Sequence, residues 1–71
     1  MKKYGDDSGN SGISAYEIGP DWIRIKFKSG NVYKYSYRSA GKDDVEQMKG
    51  LAQKGRGLTT YINKYVKELY E

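Results

Sequence analysis

The chain contains neither histidine nor cysteine, and these absences exclude several kinds of functional site. Without them there is no imidazole base, no thiol nucleophile, no Cys/His zinc site and no disulfide bond. The 71 residues suffice for one domain with a small core, but not for a deep, dry catalytic cavity. We therefore expect a single non-enzymatic domain, without catalytic residues, metal or cofactor, that is stabilised by packing alone.

Long apolar runs are also missing, so we expect neither a membrane span nor a signal peptide, and we expect a cytoplasmic protein. Residues 1–12 have little to bury. Besides Met1, their one large apolar side chain is Tyr4, and most of the others are residues typical of coil. This composition predicts a disordered, dispensable N-terminal tail over residues 1–12 and a single domain over residues 13–71.

The rest of the chain shows two different periodicities. Apolar and polar side chains alternate over residues 13–18, 22–27 and 31–37, which predicts three antiparallel strands joined by tight turns. After the third strand, apolar residues recur at helical spacing in two segments. The first segment ends at Lys54, and the second begins at Leu58. The apolar positions of the two predicted helices are Val45, Met48, Leu51 and Ala52, followed by Leu58, Tyr61, Ile62, Tyr65, Val66 and Leu69. The sequence thus predicts an α+β fold, a three-stranded antiparallel β-meander followed by an αα-hairpin packed on one sheet face.

The turn at residues 28–30 decides which side chains share a sheet face. A three-residue turn with Gly30 in the left-handed conformation sets the isoleucines of the second strand opposite the tyrosines of the third. A two-residue Pro20-Asp21 turn likewise sets the apolar side chains of the first strand opposite the isoleucines of the second. One face then carries Tyr16, Ile18, Ile23, Ile25, Phe27, Tyr33, Tyr35 and Tyr37, and the other carries Trp22, Arg24, Lys26, Lys28, Val32, Lys34, Ser36 and Arg38. The alternative, a two-residue Ser29-Gly30 turn, shifts the register by one and moves the tyrosines beside the cations.

Four short motifs occur in a fixed order along the chain. They are Ser11-Gly12-Ile13 in the first strand, Phe27-Lys28-Ser29-Gly30 at the hairpin, Tyr33-Lys34-Tyr35 in the third strand and Lys54-Gly55-Arg56-Gly57 before the second helix. This order resembles the KTSC domain family, which is named for its occurrence at the C-terminus of some lysyl-tRNA synthetases and is also found as small stand-alone bacterial proteins. The resemblance covers roughly residues 11–66. It implies RNA binding only through the family's attachment to synthetases.

Positive charge is concentrated on two of the predicted strands. Residues 22–42 hold six Lys or Arg side chains and no acid, while the rest of the chain holds seven basic and nine acidic side chains. A row of cations on one sheet face can neutralise phosphates and so bind nucleic acid with a strong dependence on salt. The alternative is a solvated face whose lysines only discourage aggregation.

The aromatic residues divide between the two faces. Exposed rings on RNA-binding sheets stack on bases, but the register places Tyr33 and Tyr35 on the face that the helices cover, so we expect core positions for both. Trp22 falls on the basic face beside Arg24. It is the ring that we expect to stack on a base, with packing against the turn as the alternative.

The loop between the two predicted helices is a further candidate. Its two cations lie near the N-terminus of the second helix, where phosphate could bind, although an αα-turn requires both glycines in any case. We predict a monomeric module that binds RNA or another polyanion, with an interaction with an acidic protein as the alternative. The predicted nucleic-acid-binding residues are Trp22, Arg24, Lys26, Lys28, Lys34, Arg38, Lys54 and Arg56.

Overall fold

A computed structural model describes residues 1–5 and 12–71 of the chain. In these residues the chain forms a four-stranded antiparallel sheet, in the order β1-β2-β3-β4, and two helices. The strands are β1 (Lys2–Lys3), β2 (Ile13–Ile18), β3 (Trp22–Phe27) and β4 (Val32–Ser36). The helices are α1 (Lys42–Lys54) and α2 (Leu58–Tyr61), and α2 continues directly into a π-helical turn, Ile62–Val66. The α+β class is confirmed, but the sheet has one strand more than the sequence predicted.

The register between β3 and β4 is the one that the three-residue turn predicts. Ile25 lies opposite Tyr33, and Ile23 lies opposite Tyr35. The Phe27 N–H donates to the Asn31 carbonyl at 2.9 Å, and Gly30 closes the turn with a φ of 100°. The alternative register with a two-residue turn is therefore wrong, and the tyrosines of β4 share a face with the isoleucines of β3.

A β-bulge in β2 adds one residue to the core that the strict alternation had left out. Tyr16 pairs with Ile25 as predicted, but the register shifts between Ile13 and Ala15, so that Ile13 pairs with Phe27. The extra residue turns both Ile13 and Tyr16 to the same face although they are three positions apart. Both side chains are buried there.

The first residues of the chain correct the prediction of a disordered tail. Lys2 pairs with Tyr16 and Lys3 with Ala15, which makes β1 an edge strand of the sheet. Tyr4 follows with only 2% of its surface exposed and belongs to the hydrophobic core. Pairing with an existing strand satisfies the backbone of β1, and burial of one tyrosine offsets the cost of ordering it. The remaining part of the predicted tail, residues 6–11, lies outside the described residues.

Helix α1 follows its sequence signals closely. Asp43 and Asp44 lie in its first turn, where carboxylates interact favourably with the helix dipole. Gly55 ends the helix in the left-handed conformation, and its N–H donates to carbonyls of the last turn. The predicted apolar residues Val45, Met48 and Ala52 are buried against the sheet and the second helix.

The second helix departs from its predicted pattern after its first turn. Leu58, Ile62 and Val66 are buried, but Tyr65 is 55% exposed and Leu69 is 44% exposed. A π turn closes its hydrogen bonds over five residues instead of four, so each residue advances less around the helix axis. Ile62 and Val66 consequently lie above one another in the core, and Tyr65 is rotated outward. The sequence grouped Tyr65 and Leu69 with the apolar positions of the second helix, but both side chains are exposed.

Within the two described ranges, none of the helices is long and apolar enough to cross a membrane.

Candidate nucleic-acid interface

The face of β3 and β4 opposite the core carries the predicted basic side chains. We call it the outer face, and its residues are Trp22, Arg24 and Lys26 on β3 with Val32, Lys34 and Ser36 on β4. Arg24 lies directly opposite Lys34, and Lys26 lies opposite Val32. Side chains opposite each other on neighbouring antiparallel strands have Cβ atoms only about 5 Å apart. Three cations therefore occupy one small area of the sheet.

Two acids, Glu17 and Glu71, accompany these cations, and neither was among the predicted site residues. An Arg24 guanidinium nitrogen lies 3.1 Å from a Glu17 carboxylate oxygen, and the Lys34 ammonium lies 3.8 Å from a Glu71 carboxylate oxygen. Like charges directly opposite each other destabilise a sheet, so each acid offsets the repulsion between Arg24 and Lys34. All four side chains are between 35% and 45% exposed, and such exposed pairs contribute only about 0 to 1 kcal/mol.

Trp22 packs more closely than the stacking hypothesis assumed. The Arg24 guanidinium carbon lies 4.7 Å from the centre of the indole, and the Lys34 ammonium lies 5.4 Å from it. A Cβ atom built on Gly19 would overlap atoms Cε2 and Nε1 of the same ring. The indole is thus fitted onto the Gly19 backbone and takes part in cation–π contacts, which is the turn-packing alternative.

Glu71 has a second set of contacts on the outer face. A hydrogen bond from the Ser36 hydroxyl lowers the pKa of Glu71, and the positive charges of Lys34 and Arg38 lower it further. The Glu71 N–H also donates to the Lys34 carbonyl at 2.7 Å, so the backbone of residue 71 lies along the edge of β4. A carboxylate therefore lies beside a hydroxyl and a cation of the outer face, and the charge of Arg38 in the following turn also acts on it.

Tyr35 and Tyr33 both lie on the core side of the sheet, as predicted. Tyr35 is 1% exposed, its hydroxyl donates to the Lys67 carbonyl at 3.5 Å, and burial raises its pKa to about 12. Tyr33 is only partly buried, at the edge of the sheet. Its ring makes an edge contact with Phe27 at 5.6 Å and lies 4.5 Å from the ring of Tyr70.

Apart from Arg38, whose charge acts on Glu71, the remaining predicted site residues lie away from this centre. Lys28 is exposed in the hairpin turn, and Arg38 is exposed in the turn after β4. Lys54 and Arg56 flank Gly55, whose Cα lies 3.2 Å from a Cβ atom built on Gly5, next to β1. This is the opposite edge of the sheet from β4, so the interhelical loop does not extend the outer face as predicted.

At the start of the second helix, where phosphate binding was predicted, one backbone donor is engaged within the protein. The Leu58 N–H donates to the Tyr4 hydroxyl oxygen at 3.3 Å in a buried contact. The loop glycines serve the turn itself, since Gly55 has a φ of 80° and Gly57 a φ of 83°. In the described part of the chain, no group of three or more acidic side chains is arranged to hold a metal ion.

Comparisons with known proteins give no assignment for this chain. No family model matches it, and neither a curated protein nor a solved structure does. The resemblance to the KTSC domain family stays a prediction from the sequence.

Proposed function

We propose that the protein is a small non-catalytic module that binds RNA through the cations of its outer face. The observation that supports this most directly is the grouping of Arg24, Lys26 and Lys34 on two adjacent strands. Phosphates that contact such cations release condensed counterions, which favours binding with little dependence on base sequence.

The ion pairs on this face are compatible with the proposal. The partners Glu17 and Glu71 hold Arg24 and Lys34 in place without burying them. Because exposed ion pairs are weak, a phosphate can replace either carboxylate at little cost. Lys26 is exposed and offers a third contact.

The direct test is an NMR titration of labelled protein with short single-stranded and structured RNAs, with heparin as a polyanion control. We expect the amide shifts to map to β3 and β4, and the affinity to fall steeply as salt is added. If heparin caused amide shifts of the same size and bound with the same affinity as RNA, the binding would be only a general attraction between opposite charges.

A charge-matched pair of variants tests whether the outer face is the contact surface. Changing Lys26 and Lys34 together to Ser should flatten the slope of log affinity against log salt by about 1.4, the loss of two single-strand phosphate contacts. The control changes Lys42 and Lys64 to Ser, which removes the same charge from two exposed lysines of the helices. Equal slopes in the two double variants would exclude the outer face.

An acidic or apolar protein partner is a second candidate, and one observation favours it. Tyr65 and Leu69 are exposed, and the rings of Tyr65 and Tyr61 pack with their centres 4.7 Å apart at a tilt of 45°. Exposed apolar side chains at the end of the second helix are typical of a protein contact. Binding to such a partner should survive moderate salt, whereas binding to RNA should not.

A KTSC-like ancestry, a cytoplasmic location and a monomeric state remain part of the proposal.

A further inference from the structure

Residues 70 and 71 straddle the edge of β4. On the core side, the ring of Tyr70 lies 4.5 Å from the ring of Tyr33 and 6.2 Å from that of Tyr35. On the outer side, the Glu71 carboxylate lies near the Lys34 ammonium, at 3.8 Å. The backbone between them is attached to the edge by the hydrogen bond from the Glu71 N–H to the Lys34 carbonyl.

This pair of contacts has the chemistry of one nucleotide. The Tyr70 ring packs on the Tyr33 ring at a tilt of 48°, and an anion follows it onto a lysine and a hydroxyl. Single-stranded nucleic acids bind proteins through the same two contacts, a base on an aromatic ring and a phosphate on a cation. Tyr70 is 42% exposed and Glu71 is on the surface, so neither is fixed by burial.

We infer that the edge of β4 is a nucleotide subsite, formed by Tyr33, Lys34 and Ser36, and that Tyr70 and Glu71 occupy it in the free protein. The inference rests on the proposed function and adds a location and a means of control to it. A base takes the position of the Tyr70 ring on Tyr33, and its phosphate takes the position of the Glu71 carboxylate. The two residues therefore compete with RNA for the same contacts.

The charge component is tested with Glu71→Gln. We expect the affinity for a short oligouridylate to rise about two- to fivefold, the range that loss of one exposed ion pair allows. The salt slope should stay close to that of the wild type, because Lys34 contacts one phosphate in both complexes. The control is Asp43→Asn, which removes the same charge from an exposed residue of α1. Equal gains in the two variants would show an effect of net charge and overturn the inference.

The stacking component is tested with Tyr70→Ala and Tyr70→Phe. The alanine variant frees the Tyr33 ring and should bind the oligouridylate more tightly than the wild type, whereas the phenylalanine variant keeps an aromatic ring on Tyr33 and should not. Side-chain resonances of Tyr33 should move in the same direction in Tyr70→Ala as on adding oligouridylate to the wild type. Unchanged Tyr33 resonances on adding oligouridylate would overturn the inference.

The remaining outcomes separate this inference from the proposed function. If the wild type binds RNA on the outer face and neither residue 70 nor residue 71 alters the affinity, the subsite is wrong and the proposed function stands. If neither wild type nor variants bind RNA, both are wrong. If the variants gain affinity for a short peptide carrying Tyr-Glu but none for oligouridylate, the edge accepts a peptide strand and the nucleotide subsite is overturned.

Discussion

At the scale of single residues, Gly19 and Trp22 form the most constrained contact of the outer face. The indole lies where a side chain on Gly19 would have to be, and Arg24 packs on the ring at 4.7 Å. The requirement for glycine here comes from the ring and not from the backbone, since Gly19 is not among the described glycines with positive φ. Position 19 therefore controls the orientation of the one tryptophan in the chain.

We expect Gly19→Ala to displace the indole and to destabilise the protein by about 1 to 3 kcal/mol, the usual cost of overpacking. The fluorescence of Trp22 should shift to longer wavelength in the native state, and urea unfolding should give the loss of stability. Gly50→Ala is the matched control. A Cβ atom at Gly50, inside α1, meets nothing within 4 Å, so this change should stabilise the helix by about 0.5 to 1 kcal/mol. A native wild-type-like spectrum in Gly19→Ala would contradict the packing described for Trp22.

At the scale of elements, β1 and Tyr4, the residue that follows it, connect the sheet to the second helix. Tyr4 packs in the core and its N–H donates to the Ser14 carbonyl at 3.1 Å, while its hydroxyl oxygen meets the Leu58 N–H. One residue thus links the edge of the sheet, through its backbone, to the start of the second helix, through its hydroxyl.

We expect Tyr4→Ala to lower the free energy of unfolding by about 3 kcal/mol, as truncation of a buried aromatic residue does. Tyr4→Phe keeps the ring and should cost only about 1 kcal/mol through the lost hydroxyl. Lys3→Ala, at an exposed position of the same strand, should stay within about 0.5 kcal/mol of the wild type. Chemical denaturation of the three variants decides the matter. A Tyr4→Ala variant as stable as the wild type would restore the N-terminal residues to the status of a dispensable tail.

The elements differ in how far the sequence alone could predict them. The register of β3 and β4 followed from local turn chemistry at Gly30, and α1 followed from its spacing and its glycine end. Strand β1 has only two residues, which is too short for any periodicity, and its pairing depends on a long-range contact. The bulge at Ile13 and the π turn after Tyr61 each change the phase of the side chains. Such phase changes are set by packing between elements, so the hydrophobic pattern of one segment carries no signal for them.

In the candidate site, too, some contacts could be predicted from the local sequence and others join residues that are far apart along the chain. The block of cations over residues 22–42 was visible in the sequence, and so was the face that Arg24 and Lys34 share. The contact of Glu17 with Arg24 was available in principle, since the pairing of Ile18 with Ile23 sets the two residues opposite each other. The contact of Glu71 with Lys34 was not, because no local pattern relates residues so far apart along the chain.

At the scale of the whole molecule, two tyrosines make the free energy of unfolding decrease at alkaline pH. Burial raises the pKa of Tyr35 to about 12, and burial followed by the hydrogen bond to Asp44 raises the pKa of Tyr61 to about 12. The hydroxyl of Tyr61 donates to the Asp44 carboxylate at 2.6 Å, which joins the second helix to the first turn of α1. Both groups are therefore more readily ionised in the unfolded chain, where a tyrosine has a pKa of about 10.

The stabilising contribution of these groups is fully present below about pH 10, and it is lost as the pH rises through about 12. We expect the urea midpoint of the wild type to fall between about pH 8 and about pH 11.5 for this reason. Tyr61→Phe should be less stable at the lower pH, because it lacks the hydrogen bond, but its midpoint should fall less over the same range. The urea midpoint of Tyr65→Phe, a change at the exposed neighbouring position, should fall by as much as that of the wild type. Parallel curves for Tyr61→Phe and the wild type would show that the hydroxyl of Tyr61 is not held by Asp44, and that the two helices are joined by apolar contacts alone.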